Sequence, residues 1–509
     1  MDDLTDAAAR RDPHAPAQDA RGPAAQREPA HEPDGRRGGL EGFFRLRERG
    51  SSVGTEVRAG LTTFMVMSYI IFVNPAILST GDLEGLGPPF LPTVVATALA
   101  AGILTIAMGL IANYPFALAA GLGLNAIVAF ELILGRGFTW QEAMAVIVWE
   151  GVIILLLVVT GLRQAIMEAI PANLKRAIAV GIGLFILFIG LVNGGVVAQG
   201  GGTPLAYAGV TNVATLTFVI GLFIALALMA LRIRGAILIS ILVTTAIAIV
   251  LNSVVGLESG FRPGTAALPA DASGYLFNFD AANFQTIFQP LGSLFSIFAK
   301  EGVPFIIVAL VIFSLMLSDF FDTMGTVVGV GEQGGLLDAN GRLPGIGRVL
   351  GVDSFGAILG GAFGVSSNTT YIESAAGVGE GGRTGLTAVV TGILFLLAIL
   401  IAPIAGIVPA QATAPALVIV GFLMFMTARE WVWGDIDEMF PVLVTAIVMP
   451  LTFTITTGIA AGFITYVFLK TVRGRAAEVH PLMWVASLAF VLYFAIPWIQ
   501  MLLAEAPAV

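Results

Sequence analysis

The chain has 509 residues, 57% of them apolar and only 12% charged, with a mean hydropathy of +0.91 and a formal net charge of −9. Soluble proteins carry about twice that charged fraction, so the composition excludes a soluble globular protein and predicts a multi-pass protein of a lipid bilayer. The chain lacks cysteine, which excludes disulfides and thiolate metal sites, and its acidic residues are spread over loops, which gives no sign of nucleic-acid binding.

The first fifty residues differ in composition from the rest. Residues 1–50 are rich in Pro, Ala, Arg, Asp and Gly and contain no apolar run of the length that a signal peptide needs. We predict a disordered cytoplasmic tail. Four arginines just before the first apolar segment favour an N-terminus inside the cell; they are Arg45, Arg47, Arg49 and Arg58.

Two sets of seven apolar segments follow, and each segment is a candidate membrane span. The first set is Leu61–Leu78, Thr93–Ile111, Ala117–Leu134, Ala143–Thr160, Leu174–Val192, Ala214–Leu231 and Ala236–Leu251. The second set is Phe305–Met324, Val349–Phe363, Ser367–Val378, Thr387–Ile404, Ala414–Met426, Pro441–Phe453 and Gly458–Leu469. A further apolar stretch, residues 481–504, contains Pro497, which would kink a helix.

Seven crossings are an odd number, so the second set must enter the membrane with the opposite orientation. This arithmetic predicts an all-α polytopic membrane protein with 14 transmembrane segments in two seven-segment inverted repeats. The third segment of each set is interrupted by glycine and polar residues, at Gly121–Asn125 and Gly364–Thr370. Interrupted segments in corresponding positions are typical of a binding site near the middle of the bilayer.

Two carboxylates occupy the eighth segment, where each costs about 2.5–3.5 kcal/mol on insertion scales. Asp319 and Asp322 are three residues apart and share a helix face with Thr326. They must face a polar cavity, which predicts a transporter, and two adjacent buried carboxyl groups can hold and release a proton near neutral pH. The alternative is that one of them only holds a neighbouring helix through hydrogen bonds.

Glu373 stands where an extended segment should become a helix, directly after Asn368, Thr369, Thr370 and Tyr371. Free N–H groups at such a helix start bind acceptor atoms, while a carboxylate accepts paired N–H donors from a planar ligand such as a purine or pyrimidine. The alternative is that Glu373 caps its own helix.

Other polar and aromatic residues have competing interpretations. Asn125 can donate to and accept from a nucleobase edge, or else satisfy interrupted backbone. Phe116, Phe321 and Tyr371 offer stacking faces but are also ordinary packing residues. We interpret Glu150, in the middle of the fourth segment, as a structural hydrogen-bonding group between helices, and we expect Glu131 to reach the membrane interface.

Motifs for other chemistry are weak. The loop Gly329–Gly347 lacks the Gly-Lys-Ser/Thr ending of a phosphate loop, and Asp338–Gly341 lacks the later ligands of a calcium loop. The three histidines lie outside the apolar segments. We identify no nucleophile paired with a base, and therefore expect neither an enzyme nor a metal or other cofactor.

Five short motifs resemble those of one transporter family. They are TEVRAGLTTF (55–64), YIIFVNP (69–75), GLGLNA (121–126), DFFDTMGT (319–326) and NTTYIES (368–374). From about Thr55 to Trp484 the chain resembles the AzgA-like hypoxanthine/guanine/adenine permeases of the nucleobase-cation symporter and nucleobase-ascorbate transporter superfamily. Several motifs in the expected order are more specific than any one of them alone.

The resemblance implies two domains, each made from both repeats, with short antiparallel strands in segments 3 and 10. A core domain would comprise residues 55–165 and 303–404, and a gate domain residues 166–252 and 405–472. Residues 253–302 would form an extracellular connection. The extra C-terminal hydrophobic segment, residues 481–504, departs from this plan.

The resemblance also implies roles for single residues, with Glu373 binding the base and Asp322 as the acidic residue of segment 8. The predicted substrate-binding residues are Glu373, Asp322, Asn125, Tyr371, Thr370, Ile372 and Phe321. The predicted proton-coupling residues are Asp322, Asp319 and Glu373, with Thr326, Thr369 and Asn368 in support.

We therefore predict a secondary active transporter of the cell membrane that imports purine nucleobases (hypoxanthine, guanine, adenine) by cation symport through elevator-like alternating access. A proton is favoured over Na⁺ as the co-transported cation. A uracil, xanthine or anion carrier on the same fold is an alternative, although an acidic site disfavours anions, and a membrane receptor or channel is another. The sequence leaves open the preferred purine, a homodimer and whether residues 481–504 cross the membrane.

Overall fold

The computed structural model describes residues 39–79, 86–162, 169–255, 260–261, 265–268, 281–300, 302–338 and 342–504. Within these ranges the chain is mostly helical, and eleven helical segments are long and apolar enough to cross a bilayer. The predicted multi-pass helical fold is confirmed.

The helices are α1 (Leu40–Phe44), α2 (Val53–Met67), α3 (Ile70–Leu78), α4 (Phe90–Ala107), α5 (Leu122–Ala126), α6 (Trp140–Thr160), α7 (Ala172–Asn193), α8 (Val213–Ala230), α9 (Ala236–Val255), α10 (Phe305–Gln333), α11 (Ile346–Phe363), α12 (Ser374–Gly379), α13 (Gly385–Ala398), α14 (Ala410–Phe425), α15 (Ile436–Thr452), α16 (Ile455–Val472) and α17 (Pro481–Ala504). The strands are β1 (Leu118–Ala120), β2 (Val197–Ala198), β3 (Ala206–Tyr207) and β4 (Asn368–Thr370). Helices α4 and α5 continue as π-helical turns, Met108–Ala112 and Ile127–Leu134.

Three predicted segments are shorter than a full span or are interrupted. The third consists of β1, α5 and its π-helical extension, the tenth of β4 and α12, and the thirteenth is α15. Helix α10 runs on to Gln333 rather than ending at Met324, because no proline interrupts it before Gly334. The carboxylates of segment 8 therefore lie in the interior of a helix.

Strands β1 and β4 pair antiparallel, with Leu118 opposite Thr370, and Ala120 opposite Asn368. The pair is extended by hydrogen bonds from Gly121 N to Ser367 O (2.8 Å) and from Tyr371 N to Ala117 O (2.9 Å). Extended backbone at membrane depth must find its partners within the protein. Each interrupted segment supplies them to the other, which confirms the predicted strands.

Helix α11 packs directly on the backbone of β4, and only glycine permits this distance. A Cβ atom added to Gly360 would lie 2.1 Å from Ser366 O, and one added to Gly356 would lie 2.7 Å from Asn368 O. These two small residues therefore set how closely the strand approaches the helix behind it.

The helices form two groups that pack mainly within themselves. In the strand-bearing group, α6 packs on α11, α4 on α13, and α2 on α12 and α13. In the second group, α7 packs on α14 and α15, α8 on α9, and α15 on α16. The groups meet where α10 contacts α7 and α16, where α5 contacts α7 and where α3 contacts α14.

The predicted disordered tail is folded in its last part. Residues 1–38 lie outside the described residues, but Phe44 and Leu46 are buried and pack with Leu386 of α13. Arg49 donates hydrogen bonds to Asn113 O (2.6 Å) and Arg383 O (2.9 Å). The prediction was wrong for residues 39–50, because apolar side chains spaced among arginines dock on the end of a helix. Much of the predicted connection 253–302 lies outside the described residues.

The extra C-terminal segment forms helix α17, which packs on α16 and α10. Its buried Phe490 lies against Phe463 of α16 and Phe313 of α10, at ring-centroid distances of 6.0 and 6.1 Å. Helix α17 thus contacts both groups of helices.

Candidate substrate site

Two carboxyl groups lie close together between α10 and the segment after β4. Thr369 donates a hydrogen bond to Asp322 Oδ2 over 3.3 Å, and Tyr69 donates one to Glu373 Oε1 over 2.5 Å. Helix α10, which carries Asp322, packs against β4 and α12, the two elements that flank Glu373. Asp322 and Glu373 are only partly buried, and Ile372 is 52% exposed. The structure therefore brings the predicted pair together in a partly open region.

Asn125 lies on α5 directly after β1 and is fully buried. Among the described residues, neither its amide oxygen nor its amide nitrogen has a hydrogen-bond partner. An unpartnered buried polar group costs about 1–3 kcal/mol, which a ligand or water offering both a donor and an acceptor would remove. The alternative role, satisfying interrupted backbone, is not what this side chain does. Helix α5 packs against α10, so the amide belongs to an element that borders the carboxylate pair.

The three candidate aromatic residues are buried. Phe116 stacks on Tyr114 with ring centroids 5.4 Å apart, which is packing and leaves no face for a ligand. The Tyr371 hydroxyl donates a hydrogen bond to Ala120 O, so this side chain fastens the end of β1. Phe321 is buried, and it directly precedes Asp322 in the sequence. A stacking role for it stays a prediction.

Of the polar residues of β4, Thr369 contacts Asp322, whereas Thr370 points to another acid. The Thr370 amide and hydroxyl each donate to Asp353 Oδ1 over 2.9 Å. Asn368 donates through Nδ2 to Ser366 O over 3.3 Å, and Thr326 is buried one turn beyond Asp322. Thr369 therefore lies at the open site, whereas Thr370 and Asn368 lie behind it.

A second carboxylate group lies buried behind the strand. Asp319 accepts hydrogen bonds from Ser367 (3.0 Å) and Thr323 (3.3 Å), and the Thr323 hydroxyl also reaches Asp353 Oδ2 at 2.8 Å. Asp353 of α11 was missed by the sequence analysis. Its signal was available, since a carboxylate within the apolar segment Val349–Phe363 meets the criterion that singled out Asp319.

Two other acids are buried. Glu150 is fully buried, and its carboxylate oxygens accept no hydrogen bond from a donor among the described residues, so its role between helices stays a prediction. Glu131 pairs with Arg136 over 3.3 Å and accepts from Thr456 N of α16.

Comparisons with known proteins agree with this architecture. A family model described as "Permease family" matches residues 54–461. The chain is 40% identical over 455 residues to the adenine permease AdeP of Escherichia coli (strain K12), covering 89% of this chain and 96% of that protein. It is 38% identical over 459 residues to the guanine/hypoxanthine permease PbuG of Bacillus subtilis (strain 168), covering 89% and 99%. Among solved structures, the transmembrane domain of the cyanobacterium bicarbonate transporter BicA matches with a TM-score of 0.52 at 16% identity, covering 80% of this chain and 97% of that one, which shows the shared fold.

Proposed function

The chain belongs to this permease family, and we propose that it imports purine nucleobases, with hypoxanthine, guanine and adenine as the substrate class, by secondary active transport. The observation that carries the proposal is the partly open pair Asp322 and Glu373. Among the described residues, no arginine or lysine acts on either carboxylate, so both keep their capacity to accept hydrogen bonds from a ligand. The names of the similar permeases point to the same substrate class.

Recognition of a purine requires groups that match its alternating N–H donors and acceptor atoms. Glu373, with one oxygen held by Tyr69, would accept N–H donors of the base. Asn125 has a free amide that donates and accepts, and Asp322 provides a second acceptor. These three residues offer complementary partners for an uncharged heterocycle.

Alternating access would come from an elevator-like movement of the strand-bearing group as core (residues 55–165 and 303–404) against the second group as gate (residues 166–252 and 405–472). The site residues all lie in the strand-bearing group, which supports a moving carrier domain. We propose proton symport across the cell membrane with the N-terminus in the cytoplasm, and Asp322, Asp319 and Glu373 as the acids that sense the coupled cation.

An anion carrier is disfavoured. The fold is shared with a bicarbonate transporter, yet at this site two carboxylates would repel an anion that no described cation balances. A purine, neutral at physiological pH, meets no such repulsion.

The test is uptake of radiolabelled hypoxanthine, guanine and adenine in a strain without purine permeases, with membrane protein quantified. We expect uptake of at least one base and its loss in Glu373→Gln, which keeps the shape but removes the charged acceptor. Glu380→Gln is the matched control, because Glu380 lies on the same segment but pairs with Arg234 away from the site. No uptake of any base by wild-type protein at the membrane would overturn the proposal.

A further inference from the structure

The candidate site is open toward one end of helix α10 and closed toward the other. The residues that follow Asp322 on the same face of the helix are exposed, namely Gly325, Gly329 and Glu332. The residues that precede it on that face are buried, namely Ser318 (3% exposed), Leu315 (0%) and Val311 (1%). The open end of α10 is therefore the end at Gln333, and the closed end is the end at Phe305.

The second half of segment 3 lies at the closed end. Lys300, just before α10, lies over the Phe138 ring at 4.9 Å and pairs with Glu142 at the start of α6 over 2.7 Å. Phe138 directly follows the π-helical turn Ile127–Leu134 and donates its backbone N–H to Leu132 O over 3.1 Å. This turn of the strand-bearing group thus leads to the closed end of α10.

The same turn contacts the second group of helices through two adjacent residues. Phe130 packs on Phe185 of α7 and on Phe453, which lies between α15 and α16, at ring-centroid distances of 6.1 and 5.8 Å. Glu131 is only 1% exposed, and its Oε2 accepts a hydrogen bond from Thr456 N of α16 over 3.4 Å. At the closed end, the two groups are therefore joined by packed rings and by one buried carboxylate.

The hydrogen bond from Thr456 is a helix cap supplied by the other group. Thr456 is the second residue of α16, where a backbone N–H has no partner within its own helix. Within the described residues, the N-cap side chain of Thr454 makes no capping bond and instead contacts the Thr452 hydroxyl over 2.9 Å. A carboxylate near a helix N-terminus is stabilised by the helix dipole. Glu131 therefore holds the start of α16 by both hydrogen bonding and charge.

The Glu131 carboxylate stays paired when the two groups separate. Arg136, on the same segment, pairs with Glu131 Oε1 over 3.3 Å and also donates a hydrogen bond to the Tyr493 hydroxyl of α17. An unpaired charge in a buried place is strongly unfavourable. Because the ion pair lies within the strand-bearing group, a movement against α16 breaks the bond to Thr456 N without leaving Glu131 unpaired.

An elevator-like movement of the site past the second group must break the contacts between the groups at the closed end. Resting on the proposed transport, we propose that Glu131 is a latch that keeps the site closed at this end and releases Thr456 N when the site opens there. The closed end adjoins the predicted extracellular connection, 253–302. Release of the latch would then admit the base to Asp322 and Glu373 from outside.

The experiment measures access to each end of α10 with single cysteines, since the chain has no cysteine of its own. Ser318→Cys reports on the closed end, and Gly325→Cys, with nothing within 4 Å of its added Cβ, reports on the open end. The full-length protein is labelled with an impermeant maleimide in sealed vesicles of both orientations. Adding Glu131→Gln should raise labelling of the closed-end reporter by about threefold or more, as expected for loss of one charge at a helix terminus. Labelling of the open-end reporter should not rise.

Glu142→Gln is the matched control, because it removes an ion pair at the same end that stays within the strand-bearing group. It should leave both reporters at the wild-type level. Unchanged labelling of the closed-end reporter in Glu131→Gln would overturn the inference, and so would an equal rise at both reporters, which indicates a loosened fold. If Glu131→Gln does not fold, Glu131→Asp keeps the charge but is one methylene shorter, and unchanged labelling in that variant overturns the inference equally.

The labelling requires no substrate. Failure of the wild-type protein to take up any base would refute the proposed function, whereas failure of the latch appears only in the labelling of the two reporters. The two failures are therefore distinguishable.

Discussion

The Tyr69 hydroxyl donates a hydrogen bond of 2.5 Å to Glu373 Oε1, joining the start of α3 to the segment after β4. Tyr69 is fully buried, so the packing around its ring fixes the position of this donor. Because the bond engages Oε1, it holds the Glu373 carboxylate in one orientation.

We therefore expect Tyr69→Phe to weaken base binding. Hydrogen bonds to charged groups contribute about 1.5–3 kcal/mol, which corresponds to a Kd increase of about tenfold or more. The measurement is binding of labelled base to purified protein. Tyr207→Phe, at a position 72% exposed on β3, is the control. An unchanged Kd in Tyr69→Phe would show that Glu373 is oriented by other contacts or does not bind the base.

Asp353→Asn should destabilise the strand pair. Asp353 Oδ1 accepts from both the amide and the hydroxyl of Thr370, and Oδ2 accepts from Thr323. An asparagine replaces one acceptor oxygen with a donor, so a buried donor or acceptor is left unpaired at a cost of about 1–3 kcal/mol. Thermal unfolding in detergent should show a lower midpoint than wild type, while the exposed Glu332→Gln on α10 should leave it unchanged. Equal midpoints would contradict a structural role for Asp353.

The sequence predicts the arrangement of this site better than the state of its side chains. The positions of Asp322 and Glu373 follow from repeat arithmetic and from family motifs. Interrupted apolar segments, and charged residues within apolar segments, can be recognised in the sequence alone. Whether an acid has donors around it depends on neighbours far along the chain. Glu131 illustrates this, since Thr456 N, a donor to its carboxylate, belongs to a different helix. No donor among the described residues reaches the carboxylate of Glu150.

Asp353 shows a different limit. Helix α11, which carries Asp353, is rich in glycine and has a low hydropathy. A carboxylate within it therefore stands out less than Asp319 does within α10. Its role becomes clear only through the bonds from Thr370 and Thr323, which require the strand to be placed. The docking of Phe44 and Leu46 was likewise hidden, because a short apolar motif beside a tail of low hydropathy has no periodic signal.

Gly360→Ala should prevent correct packing of β4. The added methyl group would lie 2.1 Å from Ser366 O and 2.2 Å from Asn368 Nδ2, and the first of these is a backbone atom that cannot rotate away. Overpacking costs about 1–3 kcal/mol, and here it also displaces Ser367, which bonds to Asp319, and Thr369 of β4, which bonds to Asp322. We expect less folded protein on size-exclusion chromatography and loss of uptake. Gly347→Ala on the same helix is the control, since nothing lies within 4 Å of its added Cβ. Normal folding and uptake by Gly360→Ala would contradict the close approach of α11 and β4.

Phe490→Ala should loosen the attachment of α17 to both groups of helices. The Phe490 ring is fully buried between Phe313 and Phe463, which belong to α10 and α16. Truncating a buried phenylalanine costs about 3–5 kcal/mol in soluble cores, and less is expected between membrane helices, where lipid replaces water and packing alone is lost. The unfolding midpoint in detergent should fall by several degrees, with base binding at low temperature retained because Phe490 and its two ring partners are not among the site residues. Leu488→Ala, at a position 63% exposed on the same helix, should leave the midpoint unchanged. An equal effect of the two substitutions would show that α17 contributes only general apolar contact.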